Sequence, residues 1–217
     1  MKHKNEKSFI IESFGPIGSG KSTIFMEIKR LCEKNNIVFY SDSLFKKIPL
    51  FHKIDILYLI KLVYLLITIQ IPISKFYKYL ITSYSSYVKI KYYSKRKGVY
   101  LIDQGPMQYY GTILKHAKSK KAKKIINNFI LSNYICPSLI IIPIADKATI
   151  KERVYSRDSY NLSLNRIEQM IKRRNFLESI LKKKDICCER IVKISSDETL
   201  NDKIQELFNC NDSPINR

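Results

Sequence analysis

A chain of 217 residues is long enough to close one sizeable hydrophobic core, and 45% hydrophobic residues with 6 glycines, 7 prolines and 5 cysteines exclude the disordered, collagenous and disulfide-stapled classes. Lysine and arginine number 39 against 19 acids, a formal charge of +20, so the surface carries a positive field that attracts polyanions: nucleotides, nucleic acid or anionic lipid. Solubility alone is the plainer account of the same lysines.

The opening M-K-H-K-N-E-K lacks the pattern of a signal peptide, and a cytoplasmic address is the expectation. Residues 8 to 14 (S-F-I-I-E-S-F) predict a short strand, followed by a glycine-rich turn and by a helix over 21 to 34, with Ile24, Phe25, Ile28, Leu31 and Cys32 at helical spacing. A second strand at 37 to 40 ends in the turn and cap residues Ser41-Asp42-Ser43. A long helical region over about 44 to 96 follows, with breaks near Pro49 and Pro72.

Inside that region, residues 54 to 73 have the length of a membrane span, but Lys61 stands at the centre, at a cost of roughly 2.5 to 3.5 kcal/mol on insertion scales, and Pro72 breaks the end. Asp55, Tyr58, Lys61, Tyr64 and Thr68 recur at three and four residues, which predicts a helix buried on most sides with one narrow wet stripe. Membrane association through 54 to 73 is the alternative, and the same segment is the first place to look for a homodimer interface.

The third strand, Val99 to Ile102, ends at Asp103 before the turn residues Gly105 and Pro106; a helical stretch covers about 107 to 133. The fourth strand is 139 to 144, helices follow at about 147 to 157 and 163 to 183, the latter opening at Ser163, and a last strand at 190 to 194 precedes a helix from 199 to 208 and a loose tail over 209 to 217. Apolar strands alternating with helices imply α/β architecture: a parallel sheet covered on both faces. Two basic stretches stand out, 115 to 124 (K-H-A-K-S-K-K-A-K-K) and 89 to 97 (K-I-K-Y-Y-S-K-R-K). The second interleaves cations with Tyr92 and Tyr93, as on a nucleic-acid stacking surface or, more plainly, a solvated helix face. The odd number of cysteines argues against a complete disulfide framework, the adjacent Cys187 and Cys188 read as two thiols of a reducing compartment, and three histidines argue against a zinc site.

Gly15-Pro16-Ile17-Gly18-Ser19-Gly20-Lys21-Ser22-Thr23 satisfies G-x-x-x-x-G-K-[ST] between a strand and a helix, the setting this motif needs to hold a nucleoside triphosphate. The glycines let backbone N–H groups turn inward around phosphate oxygens, and the helix N-terminus adds partial positive charge. Lys21 is placed for the β and γ phosphates, and the Ser22 hydroxyl for Mg²⁺. Asp103, at the C-terminal end of a parallel strand, is the expected second Mg²⁺ ligand, directly or through water. Arg153 and Arg157 share a helix face and would answer the charge that develops on a transferring phosphoryl group.

Together, G-P-I-G-S-G-K-S-T, V-Y-L-I-D-Q-G-P, R-V-Y-S-R-D and R-I-V-K-I-S-S-D-E-T-L resemble the thymidylate kinase and deoxynucleoside kinase group, in order over residues 8 to 208. The resemblance implies a three-layer P-loop NTPase with a five-stranded parallel sheet, one domain over 1 to 208 with a helical insertion at about 44 to 96, and an arginine-bearing lid at about 147 to 165. It further implies ATP·Mg²⁺ as donor, a small acceptor beneath the helices after the second strand, Arg153 and Arg157 as lid arginines, and Asp103 as the acid of an Asp/Glu-Arg motif. Asp42 fits the place of a base for the acceptor hydroxyl. The chain departs from the family's pattern at Phe14, where an acid precedes the first glycine, with Glu12 two positions earlier, and at Gln104, where an arginine follows the strand-three acid. The competing expectation is an ATP-binding module that works on RNA or an anionic membrane through its basic surface.

Overall fold

The computed structural model describes residues 8 to 41, 55 to 158, 161 to 183 and 191 to 195. Asp42, the Pro49 break, Cys187, Cys188, the 199 to 208 helix and the tail lie outside the described residues.

Five parallel strands form one sheet in the order β2-β3-β1-β4-β5: β1 Ser8–Ser13, β2 Phe39–Ser41, β3 Gly98–Ile102, β4 Leu139–Ile144 and β5 Ile191–Ser195. Its apolar runs are buried on both faces, as parallel strands require. On one face Ile11, Leu101 and Ile141 pack against Ile24, Ile28 and Leu31 of α1 (Lys21–Lys34). Against the other face lie α3 (Ile73–Tyr93), α4 (Pro106–Leu114), α5 (Lys120–Asn133) and α7 (Leu164–Lys183), so the molecule has the three expected layers. The second strand begins two residues later than its apolar pattern suggests. The 107 to 133 stretch is two helices, because Ser119 caps a new start by accepting a hydrogen bond from Ala122 N at 3.0 Å. Of the described cysteines, Cys32 is a free buried thiol, pushed up to about 11 by burial and then by Glu33, and Cys136 is disulfide-bonded, so the expectation of thiols does not extend to it.

The wet-stripe reading of residues 54 to 73 is overturned. Helix α2 (Ile56–Thr68) is capped by Asp55, whose Oδ1 accepts from Tyr58 N at 3.0 Å and whose Oδ2 accepts from Tyr87 OH and Lys91 Nζ at 2.8 and 2.7 Å. These bonds, Lys91's first, hold the Asp55 carboxyl down at about 2. Tyr58 points inward: it stacks on Tyr87 at 3.7 Å, and its hydroxyl meets that of Tyr110 at 3.2 Å. The buried side carries Tyr58, Leu62, Leu65 and Leu66, and the open side Ile56, Leu57, Ile60, Tyr64 and Ile67, each 59 to 68% exposed. The sequence pattern failed because this helix is apolar all round, so the period of its few polar groups does not tell which face is covered. Gln70, at φ 57°, ends the helix, and no helix among the described residues is long and apolar enough to cross a membrane.

This arrangement sets two neighbouring leucine-sized side chains far apart in cost. Leu62→Ala, at 0% exposure, is expected to destabilise the protein by about 2 to 5 kcal/mol through a core cavity. Ile60→Ala is expected to stay within about 0.5 kcal/mol. Urea unfolding of both variants checks the orientation of α2.

Candidate functional site

The glycine-rich segment leaves the C-terminal end of β1 and turns into α1. Gly18 and Gly20 take φ of 78° and 98°, angles that an L side chain rarely adopts. The turn is closed by Ser19, whose backbone N and side-chain hydroxyl both donate to Pro16 O, at 3.3 and 2.8 Å. Helix α1 starts at Gly20 without a side-chain cap and without an acid in its first turn, so its N-terminal N–H groups face the loop with the helix's positive end. Lys21 folds back over that concavity, donating through Nζ to Gly15 O at 3.1 Å and Pro16 O at 2.8 Å. Burial, then Arg157, push its ammonium below the ordinary range, and Asp103 opposes them.

Two other elements converge on the loop. Helix α6 (Lys147–Asp158), started by Asp146 through bonds from Ala148 N and Thr149 N at 2.7 and 2.9 Å, lies across it. A Cβ on Gly18 would stand 3.0 Å from both Ile150 O and Val154 Cγ2, and one on Gly20 would stand 3.5 Å from Arg153 Nη1. From the other side comes the β3–α4 turn. There Asp103 Oδ1 is buried without a hydrogen-bond partner, and Gln108 Oε1 accepts from Gly15 N at 3.3 Å.

Beneath the loop sits Glu12, at 0% exposure. Its carboxylate accepts from Tyr134 OH at 2.6 Å and from Met107 N at 2.8 Å, so a residue of β1 caps α4. Gly105 is pressed so closely on this carboxylate that a Cβ there would overlap it. Burial outweighs the two donors and raises the Glu12 carboxyl to about 7.

Next to the loop a cavity of about 850 Å³ opens between α4 and α7, reaching Gly15 and Pro16 at one end and Phe14 in its floor. Lys21, Ser22 and Thr23 are not part of its wall. The cavity therefore meets the phosphate-binding turn only at its first two residues.

No protein-family model matches the sequence, and no curated protein does. Solved structures do match. Deoxyadenosine kinase from M. mycoides with bound dATP aligns with a TM-score of 0.53 at 15% identity, covering 93% of this chain and 98% of that one. The same enzyme with the products dCMP and a flexible dCDP gives 0.53 at 14% identity, over 93% and 97% of the two chains. With bound dCTP it gives 0.52 at 16% identity, with the same coverage. The fold is that of a P-loop kinase.

Within this P-loop kinase fold the residues read from the sequence divide clearly. Gly15 to Thr23, Asp103 and Arg153 come together at the C-terminal end of the sheet, and Arg157 is close enough to Lys21 to act on its charge. Asp42 lies outside the described residues. Gln104 is exposed and accepts from Tyr109 OH at 3.3 Å, and Phe14 is core. The lysines of 115 to 124 are exposed, and Lys115 and Lys123 among them line the cavity, while Tyr93 stacks on Tyr100 at 4.4 Å and Arg96 lies 4.0 Å over the Tyr92 ring. Tyr93 belongs to the core, and Tyr92 is covered by the Arg96 guanidinium.

Three contributors escaped the sequence reading: Gln108 on the loop, Glu12 as the cap of α4, and the cations of α7 in the cavity wall. Only Glu12 left a signal, a lone acid inside an apolar strand. Oxygen donors suit Mg²⁺, which takes one or two carboxylates and completes its shell with water and substrate phosphate. The orphaned Asp103 Oδ1 fits that demand, and no cluster of three or more His, Cys, Asp or Glu suited to another metal occurs among the described residues.

Proposed function

We propose that the protein transfers the γ-phosphoryl group of ATP to a small acceptor seated in the cavity between α4 and α7. The observation that carries the reading is the buried, unpartnered Oδ1 of Asp103 beside Lys21, which itself has only loop carbonyls for its ammonium. A buried carboxylate oxygen without a partner costs free energy unless a ligand completes it.

In this reading Lys21 leaves the carbonyls of Gly15 and Pro16 for the β and γ phosphates, and the inward N–H groups of residues 15 to 23 take the remaining oxygens. Ser22 and Asp103 would hold Mg²⁺, which would supply neutralisation of the phosphate charge. Arg153 and Arg157, carried by α6 across the loop, stabilise charge on the equatorial oxygens of the transferring group. A bond forms between an acceptor oxygen and the γ-phosphorus as the γ-phosphorus–oxygen bond breaks, and ADP leaves with the electron pair. Asp42 is our assignment for taking the proton of an acceptor hydroxyl. Closure of α6 over the loop would exclude water and favour transfer over hydrolysis.

The test is mass spectrometry of ATP·Mg²⁺ incubated with nucleosides, nucleoside monophosphates and hydroxylated metabolites. The expected result is a phosphorylated acceptor together with ADP. Bound ATP with no product across the panel would overturn the reading in favour of a nucleotide-binding module that acts on RNA or an anionic membrane through its basic surface.

A further inference from the structure

We infer that the acceptor is an anion, a small molecule that already carries a phosphate or carboxylate group held by the arginine-bearing face of α7. The inference rests on the kinase reading for the word acceptor. The charge of the cavity stands independently of it.

The wall contains Lys115, Lys123, Arg166, Lys172, Arg173 and Arg174 and no acid. Arg166 and Arg173 lie seven residues apart, two helical turns, and so share one face of α7 with Gln169, Met170 and Leu177. Arg173 is half-buried; its Nε donates to Gln169 O at 3.1 Å, a carbonyl of its own helix, and among the described residues no carboxylate pairs with it. Burial, then Arg166, push its guanidinium below the ordinary range. Across the cavity mouth the field has the same sign: burial, then Lys75, Lys115, Arg173 and Lys118, push His116 down. Lys172 is paired with Glu168 at 2.8 Å and Arg174 donates to Asn175 Oδ1 at 2.9 and 3.1 Å, which leaves Arg173 as the inward-lying cation with the most unmet bonding capacity.

Like charges gathered in a concave wall repel one another, and the half-buried Arg173 and Arg174 also lose hydration. Phosphate or carboxylate returns both terms at once, through bidentate bonds to a guanidinium. ATP does not account for the wall, because Lys21, Ser22 and Thr23 lie outside it and the cavity reaches only the first two residues of the loop. Sequence adds the same sign: Asp103 is the only acid between Asp55 and Asp146.

The experiment uses matched acceptors that differ by one anionic group, adenosine and AMP, glucose and glucose 6-phosphate, glycerol and glycerate, with the wild-type protein, Arg173→Ala and Arg173→Lys. Phosphoryl transfer is read by mass spectrometry. In parallel, thermal shifts are read with the loop saturated by a non-hydrolysable ATP analogue, and affinity for that analogue is measured separately. The charged member of a pair is expected to be preferred in both readouts. Arg173→Ala is expected to raise its KM, or its apparent Kd, about tenfold or more while leaving affinity for the analogue within about twofold, with partial rescue by lysine and weakening by salt.

Equal response to charged and neutral members, or no response to any charged member, overturns the inference. So does an Arg173→Ala effect confined to the ATP analogue, which would assign the cations to the donor. Charge-selective binding without any product would leave this inference standing and sink the kinase reading instead.

Discussion

Lys21→Ala is expected to lower kcat/KM for phosphoryl transfer by about a hundred- to a thousandfold, the scale seen when one charge-stabilising donor is removed from an active site. Its Nζ is the flexible cation at the mouth of the phosphate turn, bonded there to Gly15 O and Pro16 O, carbonyls that it can surrender to stronger phosphate acceptors. Stability should change little. Lys21 is the first residue of α1, where alanine is an excellent helix former, and the turn keeps the Ser19 bonds to Pro16 that shape it. The measurement is a steady-state rate beside a urea curve. Retained transfer by a folded variant would remove Lys21 from the mechanism.

The second large effect concerns Glu12 and stability. Its folded carboxyl titrates near 7, against 4.5 unperturbed, so the native state holds the proton more tightly than the unfolded chain does. Stability from this group is therefore fully present below the unfolded value and is lost as pH rises through the folded one, by about 3 kcal/mol in total. Glu12→Gln cannot ionise. It still offers an oxygen to Met107 N and turns an N–H toward the Tyr134 oxygen, so it is expected to lack this loss over the same range and to exceed the wild type above neutrality. His116, pushed down, works in the opposite direction but is common to both proteins and cancels in the difference. Urea midpoints from about pH 5 to about pH 8 check this. Parallel wild-type and variant curves would mean that Glu12 is ionised throughout in the folded state.

What the sequence made legible is what local chemistry alone determines. The phosphate loop needs glycine at two left-handed positions and a lysine at the helix start, all within nine residues, so spacing reveals it. The strands of the sheet centre are apolar runs with turn residues after them, and the parallel architecture follows from the helices between them. Asp103 stood out as a candidate because strand ends face the ligand side.

The rest depends on which element lies against which. Arg166 and Arg173 look in sequence like any surface cations of a polar helix; only the packing of α7 against α4 makes them part of a cavity wall. Met107 and Tyr134 meet Glu12 from 95 and 122 residues away, a pairing no window can see. Helix α2 misled for the converse reason: with nearly every position apolar, burial on one side carries no periodic mark.

The position of β1 in the sheet also has a consequence for synthesis. Its two edges are taken by β3 and β4, through Ser8 with Gly98 and Ile11 with Leu139, so it pairs with nothing made soon after it. At translation rates of about 5 to 20 residues per second, the loop emerges and then waits on the order of ten seconds for β4. Until then the nascent chain carries an apolar strand with both edges bare, a state open to aggregation and to chaperones. The loop is thus braced on both sides only after β4 has left the ribosome.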